Sequence, residues 1–209
     1  MAYLVLVRHG VSEWNKLGKW TGQTDVNLAE EGFEEARRAG DAIKDIRIDS
    51  VHVSMLKRAH ETFQEIRMVL GSAIEPKRHA ALNERSYGVH TGKNKWEVKK
   101  EIGEEEFQRI RRSWDHPVEG GETMKDVYNR VVPYYTDHIL PELVVGKNVL
   151  VVAHGNSLRA FVKYLEDMSD EGVGTLEFGT GEVFCYEVDE KGNVLEKTIR
   201  ATNPEKLKL

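Results

Sequence analysis

Tyr3-Leu4-Val5-Leu6-Val7-Arg8-His9-Gly10 and Val149-Leu150-Val151-Val152-Ala153-His154-Gly155-Asn156 decide the fold of this 209-residue chain. Each is an apolar run that ends in a histidine followed at once by glycine. A continuous apolar run such as Val149–Ala153 is typical of a strand buried on both faces of a sheet. In open α/β sheets, ligands bind in the crevice beyond the carboxyl ends of the strands. If both runs lie parallel near the sheet centre, His9 and His154 face each other across that crevice. A neutral His9 can attack phosphorus, while Arg8 and His154 hold the equatorial oxygens of a transferring phosphoryl group. The glycines would let backbone N–H groups approach the phosphate closely. Taken singly, a histidine after a strand is an ordinary polar turn residue, so the rest of the chain has to carry the reading.

Further strands are expected at Ser50–Ser54 and Val183–Val188, with Val194–Ile199 paired to the latter through a turn at Lys191-Gly192-Asn193. Helices alternate with them. Leu28, Phe33, Ala36, Ala39, Ile43 and Ile46 recur at helical spacing, with Asn27 as a candidate N-cap. Met55–Leu70, Glu104–Trp114, Thr123–Leu140 and Ser157–Leu165 read as helices too, the third open to a kink at Pro133. This alternation predicts an α/β fold with a mainly parallel central sheet sandwiched by helices, as one domain over residues 1–209. The aperiodic stretch between Arg78 and Trp96 is long for a compact domain, which marks it as functional.

Apolar content of 40% and charged content of 31% describe an ordinary globular protein, and no apolar stretch is long enough for a membrane span. The chain runs from Met1 straight into strand-like sequence without a basic leader, and its lone cysteine, Cys185, reads as a core residue. A cytoplasmic setting, as monomer or homodimer, follows as the expectation. A net charge of −5 argues against nucleic acid as partner. A small anionic substrate would need a local cation cluster, for which Arg8, Arg58, Arg85, Lys95, Arg111 and Arg112 are available.

Three more segments extend the phosphohistidine reading. Ser54-Met55-Leu56-Lys57-Arg58-Ala59 follows a strand and puts Arg58 on the first turn of a helix, where its guanidinium suits a phosphoryl group. In Leu82-Asn83-Glu84-Arg85-Ser86-Tyr87-Gly88, Glu84 can exchange the proton that a substrate alcohol oxygen must gain or lose. Lys95, with Arg111-Arg112 at a helix C-terminus, offers a second anion grip, although cations there also complement the helix dipole.

The string Leu6-Val7-Arg8-His9-Gly10-Val11-Ser12-Glu13-Trp14-Asn15 resembles the signature of the histidine phosphatase superfamily, whose members phosphorylate the histidine of an RHG motif. Within it, Leu82–Gly88, Thr21-Gly22-Gln23-Thr24-Asp25-Val26-Asn27-Leu28 and Ala153–Leu165 resemble the cofactor-dependent phosphoglycerate mutases, in their short form. The resemblance covers nearly the whole chain. It implies His9 as nucleophile, and Arg8, Arg58 and His154, with Asn15 and the backbone of Gly155, around the moving phosphoryl group. It implies Glu84 as acid and base, and Thr21, Gly22, Tyr87, Lys95, Arg111, Arg112 and Asn156 as grips on the rest of a phosphoglycerate. The implied cofactor is 2,3-bisphosphoglycerate as priming phosphate donor, with no metal. Val11, Gln23 and Ser86 depart from the family pattern, and the chain is shortened after Gly120. A phosphatase on the same fold, or a phospholigand sensor without activity, are the alternatives.

Overall fold

The computed structural model describes residues 1–203. The chain forms β1 (Ala2–Arg8), α1 (Glu13–Lys16), α2 (Glu30–Asp41), β2 (Ser50–Val53), α3 (Lys57–Leu70) and β3 (Lys77–Arg78). It continues through α4 (Lys95–Ile102), α5 (Glu104–Arg112), α6 (Met124–Tyr134), α7 (Leu140–Val144), β4 (Val149–Ala153), α8 (Gly155–Leu165), α9 (Asp170–Thr175), β5 (Val183–Val188) and β6 (Val194–Ala201). One six-stranded sheet results, in the order β3-β2-β4-β1-β5-β6. The first four strands in that order are parallel; β5 and β6 run antiparallel as a hairpin whose turn is tied by Asp189. The expected α/β architecture with a mainly parallel sheet therefore holds.

The two histidine strands are immediate neighbours, in register Val7↔Val152 and Arg8↔Ala153. Their side chains alternate across the sheet, as a period of two requires. Leu4, Leu6, Val149, Val151 and Ala153 pack against α6 and α8 on one face, among Val127, Val131 and Phe161. Val5, Val7, Leu150 and Val152 meet Ala39, Phe63 and Ile66 of α2 and α3 on the other. Cys185 lies in that second layer, and burial pushes its thiol up to about 11. A smaller cluster of Trp20, Val98, Phe107, Ile110 and Val118 forms beneath α4 and α5, outside the sheet layers.

Boundaries shift where local partners outcompete periodicity. The second helix starts at Glu30, and Asn27 does not cap it: the position before Glu30 is Ala29, without a side-chain cap. Residues before it are drawn into extended structure, Leu28 bridging Ser12 and giving its N–H to Glu61. Pro133 does not end the helix at 124–134; the path stays helical through a wider π turn at Tyr135–Ile139 into α7. The short edge strand β3 and the helices α4 and α9 carried too little periodicity to be read from sequence. No helix among the described residues is long and apolar enough to cross a membrane.

Candidate active site

The parallel strand ends converge as expected. His9 N–H donates to the Ala153 carbonyl at 3.0 Å, and the His9 and His154 rings lie 4.9 Å apart. Both are buried. His9 Nδ1 donates to its neighbour's carbonyl, Gly10 O, at 2.7 Å, while Arg58 Nε donates to His9 Nε2 at 3.3 Å. Together these contacts fix the tautomer: the proton sits on Nδ1, and Nε2 carries the lone pair, which accepts the Arg58 N–H. Burial first, then the charges of Arg58 and Arg8, hold the His9 pKa well below its ordinary value, against the opposing pull of Gly10 O. His9 is therefore neutral at physiological pH, the form a nucleophile needs.

His154 is neutral for the same reasons, burial leading and Arg58 next. Ser54 Oγ accepts the Leu56 N–H and lies within hydrogen-bond distance of His154 Nε2, 2.7 Å away. His154 Nδ1 is buried, and the His154 backbone N–H donates to Ser157 Oγ at 3.1 Å where α8 begins.

Gly10 has a different role from the one expected. Its N–H donates to Thr62 Oγ1 at 3.1 Å, and a Cβ there would lie 2.2 Å from the Gly32 carbonyl oxygen. The glycine is thus required so that α2 can close against the His9 loop, rather than for access of its N–H to a phosphate. Gly155 does face the pocket, where a Cβ would lie 3.6 Å from the Arg8 guanidinium carbon and 3.7 Å from Glu84 Oε2.

Of the fourteen expected site residues, thirteen line one solvent-open pocket of about 770 Å³; the other, His154, sits directly behind His9. Arg58 is buried, with Nη1 on Thr24 O and Nη2 on Gly22 O, and burial pushes its pKa down to about 10. Glu84 Oε1 accepts from Arg85 N, Asn156 N and Asn156 Nδ2 at 2.8, 3.2 and 3.1 Å, which pins one oxygen and leaves Oε2 for the pocket side. Asn156 Nδ2 also reaches Tyr87 OH at 2.9 Å. Asn15 Oδ1 accepts from Ser12 N and Oγ, closing a capping box on α1. Lys95 opens α4 beneath the Asn94 cap, and burial, then Arg111 and Arg8, push its pKa down to about 8.

Arg85, counted among the candidate cations from sequence, is not in the pocket wall. It is fully buried and turned inward, donating to the Glu122 and Ile110 carbonyls. Sequence reasoning missed Arg130 as well. Its guanidinium donates to the carbonyls of Ala81, Asn83 and Glu84 and pairs with Glu122, whose carboxylate also accepts from Ser86 N and Gln23 Nε2. Two of the departures from the family pattern, Gln23 and Ser86, thus meet at one carboxylate that steadies the Glu84 loop.

Lys19, Trp20, Arg159, Glu177 and Phe178 also line the pocket and were not anticipated. Arg159 was findable, since it follows Asn156 by three on α8 and so shares its face. Glu177 and Phe178, in the connection from α9 to β5, carried no signal.

Residues 4–200 match the family model of the histidine phosphatase superfamily, branch 1. The chain belongs to the histidine phosphatase superfamily. A 2,3-bisphosphoglycerate-dependent phosphoglycerate mutase of Parvibaculum lavamentivorans is 47% identical over 93% of this chain and 94% of its own. One from Chelativorans is 45% identical over 94% and 97%. Among solved structures, Bacillus stearothermophilus YhfR superposes with TM-score 0.81 at 25% identity, over 93% of this chain and 95% of its own. A mycobacterial glucosyl-3-phosphoglycerate phosphatase shares the fold at TM-score 0.82 and 21% identity, over 97% and 99%. The Arg8-His9-Gly10 string lies within the matched residues, and His9 lines the pocket.

Proposed function

We propose that this enzyme interconverts 3-phosphoglycerate and 2-phosphoglycerate through a phosphohistidine at His9 and a 2,3-bisphosphoglycerate intermediate. That is a step of glycolysis and gluconeogenesis in the cytoplasm. One observation carries the reading beyond the family: the pocket wall holds seven cations, Arg8, Lys19, Arg58, Lys95, Arg111, Arg112 and Arg159, against two carboxylates, Glu84 and Glu177. Two phosphates and a carboxylate together bring roughly four to five negative charges near neutral pH, which matches that excess. A phosphomonoester alone would need only the cations around His9. The curated relatives bear the name of this activity.

The pocket also fits 2,3-bisphosphoglycerate as primer. Arg8 Nε, Thr21 Oγ1 and Arg159 Nε are buried polar atoms of the wall without protein partners, spread from the His9 end to the α8 end. When bound, the primer supplies the phosphoryl group that loads His9.

In the reaction, the Nε2 lone pair of His9 forms a bond to phosphorus as the ester P–O bond breaks. Arg8, Arg58 and His154 hold the equatorial oxygens as charge spreads onto them. Glu84 Oε2 gives a proton to the departing alkoxide, and takes one from the hydroxyl that later attacks phospho-His9. Lys95, Arg111 and Arg112 retain the carboxylate or distal phosphate between the two half-reactions. Asn15 and the backbone of Gly155 share the hold on the phosphoryl group, and Thr21, Gly22, Tyr87 and Asn156 position the rest of the glycerate.

An enolase-coupled assay with 3-phosphoglycerate, with and without trace 2,3-bisphosphoglycerate, tests this. Primer-stimulated formation of 2-phosphoglycerate is expected; release of inorganic phosphate without isomerisation would show a phosphatase instead.

A further inference from the structure

We propose that Glu177 is an internal counter-anion of the second anion grip, trading places with the ligand's distal anionic group each time that group binds or leaves. The inference rests on the mutase reading of the pocket. One carboxylate oxygen of Glu177 accepts from Arg112 Nη2, and the other from Arg159 Nη2 at 3.4 Å. Both arginines line the reaction pocket. In the protein without ligand, then, part of the grip is already neutralised by the chain itself.

Glu177 is placed to move. Its side chain is 26% exposed, and it borders both the reaction pocket and a second cavity of about 1160 Å³ walled by Trp114, Asp115 and Asp170. Its backbone stays anchored while the side chain swings. The next carbonyl, of Phe178, accepts from Arg8 Nη1 at 2.6 Å. Before it, α9 sits hard against the end of α5, where a Cβ on Gly174 would lie 2.6 Å from the Arg112 carbonyl oxygen. A ligand carboxylate or phosphate that takes Arg112 and Arg159 must replace the hydrogen bonds Glu177 gives up. The exchange weakens the net hold on the distal group. That suits a bisphosphorylated intermediate, which has to loosen at one end to present its other phosphate to His9.

Isothermal titration of unprimed protein with 3-phosphoglycerate, and separately with inorganic phosphate, tests the exchange. Glu177→Gln keeps the shape and removes the charge. It is expected to bind 3-phosphoglycerate about tenfold tighter, the weight of one charge-assisted hydrogen bond, with phosphate affinity at His9 changed less than twofold. Turnover should slow as the intermediate is held longer, giving a lower KM and a lower kcat. Glu177→Asp, which keeps the charge but shortens the reach to Arg159, should fall between the two and controls for folding. Weaker 3-phosphoglycerate binding in both variants would make Glu177 a mere prop for the arginines. Equal tightening of both ligands would reduce it to a distant charge. Either result overturns the proposal, whereas absence of primed turnover in the unaltered protein would bring down the mutase reading first.

Discussion

His9 and His154 end neighbouring parallel strands, with their rings 4.9 Å apart, and both are neutral, without a second ring proton, in the folded protein near neutral pH. The same burial that makes His9 a nucleophile has a cost in stability. In the unfolded chain both titrate near 6.5, while in the fold both pKa values lie well below that. Above pH 6.5 both states are neutral and nothing is lost. As the pH falls below 6.5, only the unfolded chain takes up protons, so stability drops by roughly 1.4 kcal/mol per pH unit for each ring. Buried His52, its pKa also lowered by burial, adds to the trend. Urea midpoints should fall steadily between pH 7 and 5.5. A flat profile would mean that these rings accept protons in the fold.

Glu84 is held by one oxygen and free at the other. Glu84→Gln preserves volume but cannot carry a proton, so kcat should fall by roughly 10²–10⁴, the usual worth of general acid–base catalysis. Slow loading of His9 should persist. Stopped-flow turnover close to that of the unaltered enzyme would remove Glu84 from proton transfer.

Lys95 carries a pH signature of its own. Burial and the neighbouring Arg111 and Arg8 bring its pKa down to about 8 in the free protein. A bound anion favours the charged form, so ligand affinity is full below pH 8 and declines above it. The profile of kcat/KM should therefore bend downward near pH 8. In Lys95→Arg, whose guanidinium keeps its proton, that bend should vanish even if the absolute value drops. Persistence of the same bend would assign it to another group.

Arg111 and Arg112 stand at the end of α5, Arg111 over the Phe107 ring and Arg112 against Glu177. The double variant Arg111→Ala, Arg112→Ala should lose most mutase activity, each lost charge-assisted contact costing on the order of 1.5–3 kcal/mol. Hydrolysis of phospho-His9 by water should survive and rise in proportion. Parallel loss of both activities would place the pair in the common chemical step or in the fold.

Much of this was legible in the sequence because backbone geometry alone brings it together. A run apolar at every position, ending in His-Gly, specifies a buried parallel strand and puts its histidine at the sheet's mouth. Two such runs suffice to pair His9 with His154. Arg58, on the first turn after β2, follows from the same rule. What escaped was set by tertiary contacts. Nothing local distinguishes Arg85, which faces inward to the Ile110 carbonyl, from Arg111, which faces the pocket. Glu177 is an unremarkable glutamate until α9 seats it between two arginines. Gly10 read as a phosphate-facing glycine because its partner, Gly32 on α2, lies outside any local pattern. Arg130, which steadies the Glu84 loop through three carbonyls, sits on α6 far along the chain.

The central claim is that phospho-His9 passes its phosphoryl group to a second acid rather than to water. The most direct measurement isolates the enzyme after exposure to labelled 2,3-bisphosphoglycerate and chases it with unlabelled 3-phosphoglycerate. An acid-labile label that is absent in His9→Ala, and that moves into bisphosphoglycerate during the chase, is the result expected. Label that survives in His9→Ala, or that leaves only as inorganic phosphate, would contradict the account.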